Sequence, residues 1–120
     1  MTKGQLEAKI SEEVSRFESD YMGRGPKQIR TTIVKDMIII RLIGFLTPSE
    51  RRLAEEVYGI ELLKKLRTSL FEKSKRHLIS SIRNSIDIQV LTTHSDVSTV
   101  TGEKVILFVL KSDLESTLQQ

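Results

Sequence analysis

Apolar residues recur at three- and four-residue intervals near the start of the chain, at Leu6, Ile10, Val14, Phe17 and Tyr21. That spacing lines them along one side of a helix. The pattern stops at Gly23-Arg24-Gly25-Pro26. Glycine admits a positive φ there and proline has no amide to continue the ladder, so the helix is predicted to end. Two β-rich runs follow, Gln28–Val34 and the more apolar residues 37–45, with only Lys35-Asp36 between them. A two-residue gap predicts a tight hairpin, even without the glycine such turns favour.

Thr47-Pro48-Ser49-Glu50 spells a helix start. Thr47 can cap the free amides, Pro48 suits the first helical position, and Glu50 can reach back to complete a capping box. The pattern predicts a short helix over 48–57, an interruption near Gly59, and a longer helix over 60–84. The apolar stripe of the longer helix reads Leu63, Leu66, Leu70, His77 or Leu78, and Ile82. Residues 87–93 and 104–111 read as two further strands around a Ser/Thr/Gly-rich connection. The predicted fold is α+β in the order α-β-β-α-α-β-β, a four-stranded antiparallel sheet with helices packed on one face. Residues 1–112 are expected to form one domain, and 113–120 a frayed helix or disordered tail.

Residues 37–40 and 105–110 are apolar at successive positions rather than alternate ones. A strand wetted on one side alternates, so both strands are predicted to be covered on both faces. Three helices cover one face well and the other only in part. A second copy would supply the missing cover, and a homodimer is therefore expected. The rival arrangement has the first helix crossing the opposite face alone.

Composition narrows the class. With 120 residues, 38% hydrophobic and 29% charged, the chain can bury one modest core and is not of disordered type. It has no cysteine, which excludes disulfide frameworks, thiolate zinc sites and cysteine nucleophiles and fits a cytoplasmic setting. The first residues lack the apolar run of a signal peptide. No apolar run approaches the roughly 20 residues that span a bilayer, so no transmembrane segment is expected. The net charge of +3 is unevenly spread: residues 24–52 and 60–86 each carry seven basic residues against two acidic. Such a middle attracts nucleic acid, anionic lipid or an acidic partner, or merely keeps the surface solvated.

Candidate chemistry is sparse, and neither catalytic residues, a metal nor a cofactor is expected. His77 and His94 have no paired-ligand spacing around them. His94-Ser95-Asp96 is predicted to close the third strand, where functional groups sit on a rigid frame. A small hydrolase using His94 and Asp96 needs groups converging in space, and adjacency does not supply that. Arg24, between two glycines, could clamp an anion in a backbone nest. Lys64, Lys65, Arg67, Lys73, Lys75, Arg76 and Arg83 make the long helix basic. Together with the element order they suggest a KH-like nucleic-acid-binding module. Tyr58-Gly59-Ile60-Glu61, however, stands where such a module carries a GxxG loop.

Several landmarks occur together: Lys3-Gly4-Gln5-Leu6-Glu7, Gly23-Arg24-Gly25-Pro26, Asp36-Met37 and Gly44-Phe45-Leu46-Thr47-Pro48-Ser49-Glu50. Asp96 and Gly102-Glu103-Lys104-Val105, leading into Phe108-Val109-Leu110, complete the set. In this order they resemble the MpsC-like family of small bacterial proteins over nearly the whole chain. Asn84-Ser85-Ile86-Asp87 departs from the Thr-Gly-type helix exit of that pattern. The resemblance implies a non-enzymatic, soluble accessory or regulatory component of a membrane cation or bicarbonate transport system. Its setting would be the cytoplasm or the inner face of the membrane, with a membrane transporter subunit as partner, and the resemblance supplies no catalytic residue. The residues singled out as binding candidates are Arg24, Asp36, Arg67, His94, Asp96 and Glu103. Glu50 reads better as a cap.

Overall fold

In the computed structural model, residues 1–119 are described; Gln120, the last residue of the expected tail, lies outside them. The elements are α1 (Lys3–Tyr21), β1 (Gln28–Val34), β2 (Met37–Ile43), α2 (Pro48–Leu53), α3 (Val57–Arg83), β3 (Val90–Ser98) and β4 (Glu103–Leu110). A 3-10 turn at Glu115–Thr117 follows them. The strands form one four-stranded sheet in the order β1-β2-β4-β3, with every neighbouring pair antiparallel. Fold class and element order are those the hydrophobic pattern predicts.

Helix α1 opens on a capping box between Thr2 and Gln5 and buries Leu6, Ile10, Val14 and Phe17. It lies over β1, where the Glu7 carboxylate accepts from the Ile33 amide at 2.9 Å and the Ser11 and Thr31 hydroxyls meet at 2.7 Å. Helix α3 packs beside α1 and over β3. Between these helices and the sheet lie Ile33, Ile38, Ile40, Leu42, Ile106, Phe108 and Leu110, all fully buried. Tyr21, expected on the buried stripe, instead lies exposed and stacks on the His77 ring at 4.6 Å.

The Lys35-Asp36 hairpin forms with Lys35 at φ 53°. The second capping box is complete, the Glu50 amide donating to Thr47 Oγ1 at 3.2 Å and the Thr47 amide to Glu50 Oε1 at 2.9 Å.

The helix break is displaced. It falls at residues 54–56 rather than near Gly59, which is buried inside α3. A Cβ on Gly59 would stand 1.7 Å from the Leu53 carbonyl oxygen, so this glycine marks a close crossing with α2 and not a helix end. Along α3, Leu66 is 50% exposed, while Arg67, Phe71 and Leu78 take inward positions.

Strand β3 starts at Val90, later than predicted, with a register irregularity between Val90 and Thr92. It runs on to Ser98, so His94, Ser95 and Asp96 lie within the strand and not at its exit. The segment after β4, expected to fray, is tied down. Leu114 is buried, the Leu114 and Glu115 amides donate to the Lys35 carbonyl, and the Lys3 amide donates to the Gln119 carbonyl.

Cover on both faces of the sheet is not what the chain provides. Burial alternates along β4, with Lys104, Ile106, Phe108 and Leu110 buried and Glu103, Val105, Leu107 and Val109 half-buried. In β2 the buried Ile38, Ile40 and Leu42 likewise alternate with half-buried Met37, Ile39 and Ile43. Helix α1 shares its face with α3 and does not cross the other. No described element lies on the opposite face.

Helix α3 is 27 residues long, about 40 Å at 1.5 Å per residue. The eight residues of β4 span about 27 Å. Phe71 lies against Lys104 at the start of β4 and Arg67 against Phe45, so the turns of α3 before them overhang the sheet, at the end where Phe45, Leu46 and Val97 form a second small core.

Candidate functional site

The six binding candidates separate into three places. Arg24 and Arg67 lie at the corner where α1 ends and α2 and α3 meet. The Arg67 guanidinium donates to the Met22 carbonyl at 3.1 Å, one residue short of the positive-φ Gly23. His94, Asp96 and Glu103 stand on the uncovered sheet face. Asp36 sits in the β1–β2 turn, at the opposite end of the sheet from Gly102, and its carbonyl accepts from the Leu110 amide at 2.8 Å.

At the corner, charge is buried. Arg67 is 6% exposed and its Nη2 grips both Glu50 oxygens, at 3.0 and 2.8 Å. Its guanidinium carbon lies 5.0 Å from the centre of the Phe45 ring. Burial pulls the Glu50 carboxyl upward, but the Thr47 amide and the Arg67 guanidinium outweigh it and hold the group below its ordinary value. Glu50 thus serves as a cap and as the counter-ion of Arg67.

Close by, Lys104 Nζ bonds Glu18 at 3.0 Å, the two side chains being 1% and 0% exposed. The ammonium sits 4.8 Å from the centre of the Phe71 ring. Burial lowers the Lys104 pKa, Glu18 opposes the fall, and the nearby Arg67 charge adds to it. Glu18 Oε1 and Arg67 Nε find no partner among the described residues. The sequence reading missed this pair, although both members sit on buried periodicities: Glu18 follows Val14 by four, and Lys104 precedes Ile106, Phe108 and Leu110 by twos.

The strand candidates do not converge for hydrolysis. His94 and Asp96 are paired with Leu107 and Val105, and Ser95 between them faces the other way. His94 Nε2 meets the Thr92 hydroxyl at 2.9 Å, and Asp96 Oδ1 accepts from the adjacent Val97 amide at 2.9 Å. Glu103 is bonded to Arg41 Nε at 2.6 Å. Arg24 makes no side-chain hydrogen bond among the described residues, and no cluster of potential metal ligands occurs among them.

A feature not found from sequence is the outer surface of the overhanging helix. Tyr58, Leu62 and Leu66 are 74%, 45% and 50% exposed. Their i, i+4, i+8 spacing sets them in one row. Leu53, Val57 and Val100 are exposed at the same end, where the Arg51 guanidinium lies near Gly102 on the β3–β4 turn. Lys65 and Glu61 flank the row on α3, and Glu55 and Glu56 precede it, all of them exposed.

Residues 2–112 match the family described as "Na+-translocating membrane potential-generating system (MpsC)". The chain belongs to the MpsC family. It is similar to the uncharacterised protein YbcI of Bacillus subtilis (strain 168), with 37% identity over 119 residues that cover 99% of this chain and 96% of YbcI. It is also similar to the uncharacterised protein YrhF of the same organism, with 32% identity over 59 residues, 49% of this chain and 48% of YrhF. No solved structure matches it. Among the described residues of this MpsC-family chain, no helix is long and apolar enough to cross a membrane.

Proposed function

We propose that this MpsC-family protein is a non-enzymatic accessory or regulatory component of a membrane cation-translocating system. It acts at the cytoplasmic face, docked through the outer row of α3 onto an amphipathic helix of a membrane subunit. The observation that carries this reading is the exposed row Tyr58, Leu62 and Leu66, on a helix that overhangs its own sheet. A family description that speaks of a membrane system supports the reading.

The flanks select the occupant. Arg51, Arg52 and Lys65 stand at this end with Glu55, Glu56 and Glu61, all exposed, so the signs balance. A partner helix with an apolar stripe and both charges on its margins fits such a surface. Anionic lipid and a nucleic-acid backbone both call for net positive charge. The acidic residues 55 and 56 also stand where a KH-like module would need its backbone-clamping loop.

Capture of the tagged protein's complexes from detergent-solubilised native membranes tests the proposal, with Leu62→Glu/Leu66→Glu as the comparison. A membrane-embedded subunit of a cation-translocating complex is expected with the wild type, and at least about 30-fold less with the variant, as befits loss of a buried apolar anchor. Equal recovery by both proteins, or co-sedimentation with protein-free anionic vesicles, would overturn the reading.

A further inference from the structure

We infer that the uncovered face of the sheet is the interface with a second copy of this chain, packed sheet to sheet about a two-fold axis parallel to the strands. The inference rests on the sheet and is independent of the α3 docking surface.

The face is built from four cross-strand rows fixed by the register. From β1 to β3 they read Val34-Met37-Val109-Thr92, Thr32-Ile39-Leu107-His94, Arg30-Arg41-Val105-Asp96 and Gln28-Ile43-Glu103-Ser98. Most of its middle is apolar and half-buried, with the exposed Arg41 and the half-buried Glu103 the polar members, and most of its rim residues are exposed. It carries Arg30 and Arg41 against Asp96 and Glu103, so its formal charge cancels. Arg41 and Glu103 already neutralise each other at 2.6 Å within one copy. Arg30 and Asp96 are left over, on opposite edges of the same row.

That placement is self-complementary. A two-fold axis parallel to the strands keeps each row facing its own copy and reverses its order, so β1 lies over β3 and β2 over β4. Arg30 then meets Asp96 of the second copy, and the exchange happens twice. In the next row Ile39 meets Leu107, and in the row beyond it Met37 meets Val109. Packed sheets stand about 10 Å apart, a gap that an arginine at the rim bridges toward a short carboxylate. A neutral face with no excess of basic charge gives nucleic acid or anionic lipid no hold. The alternation expected of a one-sided strand is missing because this side is covered as well, by the twin. The same axis leaves both overhanging α3 starts at one end of the dimer.

Sedimentation equilibrium of the purified full chain tests the interface, with Asp96→Arg, Arg30→Asp and the Asp96→Arg/Arg30→Asp double variant in parallel. Both residues are exposed in the single chain, so the variants are expected to fold, which circular dichroism checks. The wild type is expected to be dimeric at micromolar concentration. Each single reversal should raise the dissociation constant at least ~10-fold, and the double variant should regain most of the loss, because the swapped charges face each other again. A monomeric wild type at about 100 µM, or a dimer indifferent to both single reversals, would overturn the inference.

Discussion

At the residue scale, the most consequential feature is a lysine and a glutamate with almost no access to water. Glu18 and Lys104 are joined at 3.0 Å between the helices and the sheet, close to the buried Arg67. Desolvating both ions costs about as much as their attraction returns, so the pair contributes little net stability, whereas either ion alone is severely destabilising. Lys104→Met should lower the free energy of unfolding by about 3–5 kcal/mol, because Glu18 is stranded. Glu18→Met/Lys104→Met should recover most of that loss, and urea unfolding of the three proteins measures it. Glu50 makes a second residue-level prediction. Its folded carboxyl titrates below the ordinary value, so the unfolded chain takes up the proton first. The stability it lends is full above the ordinary glutamate range and is lost as pH falls through the folded value. Glu50→Gln keeps a capping oxygen but should flatten the acid limb of melting temperature against pH.

At the element scale, the α2–α3 junction holds the corner together. Gly59 lies under the last carbonyl of α2. Alanine is ordinarily the better helix former by about 1 kcal/mol, yet Gly59→Ala should destabilise by about 1–3 kcal/mol through overpacking, readable as a lower urea midpoint. Most elements were legible in the sequence because local chemistry specifies them. The Leu6-Ile10-Val14-Phe17 spacing, the two-residue hairpin and the Thr47–Glu50 box each act within a few residues. What escaped depends on distant partners. Gly59 reads as a breaker until Leu53 is seen to cross it. Glu18 and Lys104 read as surface charges until each is found to be the other's counter-ion, 86 positions away. The late start of β3 matches the end of β4 at Leu110, the partner of Val90, a limit set across the sheet that no local pattern announces. Among the site candidates, Arg67 is buried and Glu103 is ion-paired, partners that no local pattern announces, and Leu66 of the exposed row reads as core in the periodicity alone.

At the scale of the whole molecule, the two-layer chain presents two surfaces with different characters. The open sheet face is neutral, self-complementary and half-buried, and suits a copy of itself. The outer row of α3 is exposed, apolar and flanked by both charges at the overhanging end of a body 46 Å long. The dimer proposed above, with both overhangs at one end, would offer a membrane complex two docking helices at once. The absence of cysteine permits a direct measurement of that contact. A photo-crosslinker attached through Leu62→Cys, with one through Lys111→Cys at the opposite end as reference, is activated in native membranes. The account predicts a covalent adduct between position 62 and a membrane-embedded subunit, and none from position 111; no adduct at 62, or equal adducts at both positions, would contradict it.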